Sequence, residues 1–260
     1  MTLPTRVARL VDDLRSPDPA VRDDGAYQGL AELAGDGALD EHLLELGDRA
    51  AALLTDGAVQ ARSFGALLLA LVVDRDTRTG RADDESTQRW LVSACRWYPA
   101  ERDTRGWDPG LGWLHAVAHG ADALGELAAS PRTGRDDLAV LLDTLVSRVV
   151  EPTDQHWLQD EDDRVALAVM VVLLRDMLDE EQVRRAIGRL STGWTEVAAG
   201  PVPAGADNCV RLARTLHLQL TLGVRAEPGA AVRHPTLRAE ALRALGSALA
   251  GMHWFYGEPA

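Results

Sequence analysis

Gly112-Trp-Leu-His-Ala-Val-Ala-His-Gly-Ala-Asp-Ala-Leu-Gly-Glu-Leu127 places polar groups at 115, 119, 122 and 126. Steps of four, three and four are the period of an α-helix. At about 100° per residue, His115, His119, Asp122 and Glu126 fall within roughly 60° of one another. Trp113, Val117, Leu124 and Ala128 fall on the opposite face, which predicts Trp113 as core. Ala116, Ala118, Gly120, Ala121, Ala123 and Gly125 flank the polar stripe and are small enough for neighbouring helices to close in on both sides. The stripe is therefore expected to be enclosed. A buried polar group left unpaired costs about 1–3 kcal/mol, so these four must be satisfied by each other, by neighbours or by a ligand.

Working outward, the same helical period fills the chain. Helices are expected at 5–14, 20–33, 39–54, 58–74, 85–98, 136–150, 164–178, 180–190, 193–199, 208–222 and 235–249. Turn signals separate them: Ser16-Pro-Asp-Pro19, Gly35-Asp-Gly37, Thr55-Asp-Gly57, Ser130-Pro-Arg-Thr-Gly134 and Gly200-Pro-Val-Pro-Ala-Gly205. Residues 75–84 are polar and read as a loop. Residues 99–111, with Asp108-Pro-Gly-Leu111, read as a loop feeding the histidine helix. The apolar run 165–174 marks a central helix, and the acids of Asp160-Glu-Asp-Asp163 suit its N-terminus. No segment alternates apolar and polar residues. Helix pairs recur at about 40 residues, the spacing of α-solenoids. No composition shift marks a linker, so residues 1–260 are expected to form one domain.

Composition narrows the function classes. The 260 residues carry a net charge of −13, with 46 % hydrophobic content. A pI near 4.9 disfavours phosphate backbones and anionic membrane surfaces as partners. The 27 basic residues are all arginine, so lysine Schiff-base chemistry and a P-loop lysine are excluded. This lysine-free, Ala/Leu/Arg-rich usage, with one isoleucine, points to a GC-rich bacterial genome. Cys95 and Cys209 are the only thiols and read as buried and inert, with one long-range disulfide as the alternative. The N-terminus lacks a signal-peptide h-region, and no apolar run is long enough for a bilayer, so a soluble cytoplasmic protein is expected.

Three chemistries suit the stripe. It could be a structural hydrogen-bond cluster. It could hold a divalent metal (zinc, iron or manganese) on His115, His119 and Asp122, with Glu161 or Asp163 as a further ligand, because His at i and i+4 can share an ion. Ala116 stands where an H-E-x-x-H enzyme has its glutamate, so this is not that motif. It could also move protons without a metal, an imidazole serving as base and Asp122 or Glu126 orienting it; no Ser or Cys stands beside it in sequence. Arg105, Arg164 and Arg211 are candidates for binding an anionic substrate, against the plainer alternative of pairing with Asp103 or Asp160–Asp163. Trp107 could wall a pocket, and it and Asp108 are further candidates for binding substrate. Asn208 lies near Arg211 and Thr215 on its helix, while His217 points away and reads as structural. The aromatic tail Gly251-Met-His-Trp-Phe-Tyr256 is expected to cap the last helix pair, with a homodimer contact or a lid as alternatives.

Asp103-Thr-Arg-Gly-Trp107 and Gly112-Trp-Leu-His-Ala-Val-Ala-His-Gly-Ala-Asp122 resemble the bacterial family DUF2785. Weaker similarity extends to Arg62-Ser-Phe-Gly-Ala-Leu67, Glu161-Asp-Asp-Arg164 and residues 208–216. Asp108-Pro-Gly-Leu111 departs from a short segment in which the family commonly has a basic residue. The resemblance implies a HEAT-like helical fold and carries no activity or catalytic residues with it. The expected fold is thus all-α, a single HEAT-like solenoid of about twelve helices. Two functions follow as expectations. One is an enzyme performing hydrolysis, elimination or rearrangement of a small-molecule substrate at His115, His119, Asp122 and Glu126. The other is a non-catalytic helical-repeat scaffold in which the stripe only orders the interior.

Overall fold

The computed structural model describes residues 3–194, 200–253 and 255–257. The chain divides into two compact units, Met1–Thr133 and Gly134–Ala260. Each is built from α-helices. The first holds α1 (Thr5–Asp13), α2 (Gln28–Gly35), α3 (Leu43–Leu53), α4 (Val59–Thr79), α5 (Asp84–Ala100) and α6 (Ala116–Ala129). The second holds α7 (Arg135–Val150), α8 (Glu161–Leu173), α9 (Glu180–Gly188), α10 (Ala204–Leu222) and α11 (Arg238–Met252). Residues 20–27, expected as part of one α-helix with 28–33, form a π-helical stretch that leads into α2. Most of the helix expected at 193–199 lies outside the described residues, as does Trp254 of the tail.

In the first unit α4 is the spine, packing against α3 on one side and α6 on the other. Phe64, Leu68, Leu69, Val72 and Val73 of α4 are buried, as are Val117, Leu124 and Leu127 of α6. Glycine sets the close approaches. A Cβ at Gly120 would lie 2.3 Å from the Tyr98 ring, so α5 can lie against α6 only because that position is bare. The helix α4 runs five residues beyond its expected end. Residues 75–79 looked loop-like because they are polar, but Arg75 makes a two-bonded contact with Asp40 at 2.6 and 2.8 Å, and Arg78 pairs with Asp74 one turn back. Gly80, at φ 65°, then ends the helix.

In the second unit α8 packs against α10, and α9 and α10 pack against α11. Val165, Val169, Met170 and Val172 of α8 are buried, as the apolar run predicted, against a core that includes Leu212, Leu216 and Leu220 of α10. Asp179 and Gln182 close a reciprocal cap on α9, at 2.8 and 3.0 Å. Both cysteines are free thiols. Burial pushes the Cys209 thiol up to about 12, which leaves it inert as a nucleophile. No helix among the described residues is long and apolar enough to cross a membrane.

Candidate functional site

The histidine stripe is not one continuous helical face. His115 is the residue before α6, in the left-handed region at φ 48°, ψ 31°. Gly106 O accepts from the N–H groups of both Leu114 and His115, at 2.9 and 3.1 Å. These two bonds hold the chain out of helical register, so α6 begins only at Ala116, later than the spacing suggested. Trp113 is consequently not core. It pairs across a two-stranded hairpin, β1 (Trp107–Asp108) with β2 (Gly112–Trp113), as the register partner of Trp107. Trp113 is 44 % exposed and Trp107 is 50 % exposed.

His119, Asp122 and Glu126 lie on α6, with His115 as the residue before it. The His115 ring stacks on Trp113, centroids 4.6 Å apart and planes 14° from parallel. The His119 ring lies 5.5 Å from His115 and edge-on to Phe64 at 5.2 Å. His119 is buried, and His115 and Asp122 are half-buried. The partner absent from the local sequence is Ser63 of α4, fully buried and 56 residues away. Its Oγ lies 2.9 Å from His119 Nδ1 and bonds to Leu114 O. A carbonyl only accepts, so the Ser63 hydroxyl proton goes to Leu114. His119 therefore donates from Nδ1–H, and its basic nitrogen is Nε2.

Asp74, later in α4, acts on Glu126, later in α6, so the two helices run in the same direction. Glu126 is half-buried, and its carboxyl is pushed up to about 7. Burial is the main cause; the charges of Asp74 and Asp122 add to it and Arg78 opposes it. A carboxyl in this range exchanges its proton near neutral pH.

The loop that presents the two tryptophans is held from below. Arg22 is fully buried and reaches Leu111 O at 2.8 Å, Trp113 O at 3.1 Å and Ser16 O at 3.1 Å. Its guanidinium also stands 4.8 Å over the Phe64 ring. Glu101 accepts two bonds from Arg62, at 2.6 and 2.8 Å, and one from Trp97 Nε1 at 2.9 Å. Burial raises the Glu101 carboxyl, but the Arg62 and backbone hydrogen bonds outweigh it and hold the group below its usual range. Arg105, a candidate for substrate, is committed to Asp103 at 2.8 and 2.6 Å and to Asp108. Asp108 also accepts from the amides of Gly110 and Leu111, which lowers its carboxyl. Arg105 and Asp108 therefore brace the hairpin, which for Arg105 is the ion pairing offered as its plainer alternative.

The other candidates fall in the second unit. Arg211 binds Asp207 at 2.8 Å, and Asp207 also holds His156 Nδ1 at 3.0 Å. Glu161 is buried and accepts from Gln159 N–H at 2.8 Å; burial raises its carboxyl. Arg164 lies half-buried in the first turn of α8. Asp163 is exposed, and its carbonyl accepts from Gln219 at 3.2 Å. Asn208 accepts from Trp157 N–H and donates to Gln155 O, both at 2.9 Å. His217, expected to be structural, is exposed. Among the described residues, no three His, Cys, Asp or Glu side chains come together as a metal ion would require.

The geometry defines an all-helical protein with a histidine pair beneath an exposed two-tryptophan hairpin. The chain belongs to the family described as "Protein of unknown function (DUF2785)", which matches residues 53–218. The matched span includes Ser63, Glu101, the hairpin, the histidines and Asn208. No curated protein and no solved structure matches the chain.

Proposed function

We infer that this chain is an enzyme acting on a small molecule by proton transfer. His115 is the group that meets substrate, and the Trp107–Trp113 hairpin is the surface the substrate lies against. The observation that carries this reading is the run of contacts Ser63–His119–His115, with Ser63 Oγ 2.9 Å from His119 Nδ1 and the two imidazole rings 5.5 Å apart. A buried serine fixes the tautomer of the inner imidazole, and the outer imidazole lies half-buried beneath an exposed indole. His119 acts as a positioning residue. Glu126, with its carboxyl near 7, supplies a second group able to hold or release a proton at neutral pH. The left-handed backbone of His115 is the kind of local strain that clusters at working sites. The reaction is hydrolysis, elimination or rearrangement. A divalent ion on His115, His119 and Asp122 is a variant supported by ligand spacing alone. HEAT-like stacking of the helix pairs belongs to the same reading, supported by the neighbour packing of α3 with α4 and of α10 with α11.

One observation favours a scaffold instead: His119 is only 7 % exposed, as a residue that merely orders the interior would be. The two are separated by screening chromogenic esters, phosphoesters and glycosides with wild type, His115→Gln and Trp113→Ala. Turnover should fall about 100-fold in His115→Gln, the usual size of a lost acid–base group. It should fall in Trp113→Ala through KM. Turnover unchanged in His115→Gln would overturn the reading. So would its absence on every substrate class, coupled with a melting-temperature loss in His115→Gln. Elemental analysis of protein purified without chelator tests the metal variant.

A further inference from the structure

The second unit carries a groove that the histidine site does not use. It has a volume of about 560 Å³ and is lined by Arg214 and His217 of α10, Leu242, Gly246 and Leu249 of α11, and Tyr256 of the tail. That volume falls within the range of small-molecule sites, about 300–1,000 Å³. Its floor is apolar, because α11 presents Leu242, Gly246 and Leu249 at steps of four and three along one face. Its rim is cationic. Arg214 and His217 are three residues apart on α10 and share a face.

Arg214 differs from the arginines that brace the two units. Arg22, Arg62, Arg75, Arg105 and Arg211 each lie against a carboxylate. Arg243, also on the groove, pairs with Glu240. Arg214 has no carboxylate partner among the described residues. Its Nε donates to Tyr256 Oη at 3.1 Å, and its guanidinium lies 6.0 Å from that ring. Tyr256 thus orients the fork, and among the described residues its two terminal nitrogens have no hydrogen-bond acceptor, which suits them to a planar anion. What sets it apart is its place: an arginine oriented by a tyrosine hydroxyl at the edge of an apolar trough. Its charge is felt locally: burial, and then Arg214, lower the pKa of His253.

We propose that this groove binds a small amphipathic carboxylate, the carboxylate paired with Arg214 and His217 and the apolar body laid along Leu242, Gly246 and Leu249. The full chain is titrated by calorimetry with decanoate, 1-decanol and acetate, each below its aggregation limit. Decanoate should bind at least tenfold more tightly than either other probe, because only it meets both the rim and the floor. Arg214→Gln should weaken decanoate at least tenfold and leave decanol unchanged. Arg214 is exposed, so the variant should fold, and circular dichroism checks this. Amide shifts at Gly246 and Gly257 on adding decanoate locate the site independently of the variant. Equal binding of decanoate and decanol overturns the proposal. So does decanoate binding that survives Arg214→Gln, shifts that appear elsewhere, or no decanoate binding at millimolar concentration.

Discussion

The loop at residues 101–115 in the first unit and the loop at 151–160 in the second solve the same construction problem with opposite results. Each leads into a helix through a non-glycine residue in the left-handed region, His115 before α6 and Asp160 before α8. Each is caught by a fully buried polar side chain from a helix about fifty residues away, Ser63 and Asn208. The tryptophans then diverge. Trp157 of the second loop is 2 % exposed and plugs its unit, while Trp107 and Trp113 of the first stand in solvent. A loop that spends a buried arginine, a buried glutamate and two aspartates to hold two indoles outward is built to present them. A loop that turns its indole inward is built to close a core.

The sharpest break of this comparison is truncation of the tryptophans. Trp157→Ala removes a fully buried indole and should cost about 3–5 kcal/mol in urea denaturation. Trp113→Ala removes an exposed one and should cost no more than about 1 kcal/mol. Similar losses at the two positions would mean that the first hairpin is core after all.

The next largest effect is expected at Arg22. Arg22→Met keeps most of the volume but leaves the carbonyls of Ser16, Leu111 and Trp113 without their donor, and Asp23 without the cation 2.7 Å away. Uncompensated buried groups of this kind cost about 2–4 kcal/mol. The variant should also shift the emission of the exposed tryptophans, since the hairpin loses its underside. A stability loss with unchanged emission would show that Arg22 serves the core and not the loop.

Much of this architecture was legible in the sequence. The all-helical class followed from the 3.6-residue period, and the central α8 from its apolar run. What the period could not show was where a helix yields to a competing bond. Gly106 O captures two amides and converts His115 from a helical residue into a left-handed cap, which turns Trp113 from the expected core to the surface. The end of α4 was missed for the opposite reason. Arg75 and Arg78 are polar but paired, and only Gly80 carries a stop signal. Ser63 and Arg22 reach the site from 56 and roughly ninety residues away, and periodicity carries no information at such separations. Only the resemblance at Arg62-Ser-Phe-Gly gave a hint of Ser63. Of the three candidate arginines, Arg105 binds the expected Asp103 and Arg211 binds Asp207, which the expectation did not name; each lies within four residues of its acid.

The smallest effect belongs to the glutamates that follow the two loops, which differ in the hydrogen bonds they accept. Glu161 opens α8 and Glu126 lies near the end of α6, both with carboxyls raised by burial. Each has two acids beside it, Asp74 and Asp122 for Glu126 and Asp160 and Asp162 for Glu161, but Glu161 also accepts backbone hydrogen bonds that hold it down, and Glu126 has none among the described residues to offset its burial. Its folded value of about 7 lies above its ordinary 4.5, so the folded state holds the proton more tightly than the unfolded chain. Stability from this group is complete below about pH 4.5 and is lost as pH rises towards and through 7. After allowance for solvent at a half-buried site, the loss is on the order of 1–2 kcal/mol. Glu126→Gln, which mimics the protonated form, removes it. Urea melts of wild type and Glu126→Gln at pH 5 and pH 7.5 should therefore diverge with rising pH, wild type losing the more. Parallel pH profiles would show that Glu126 ionises in the folded protein as it does in water, and would take from α6 the second proton-handling group that sets it apart from α8.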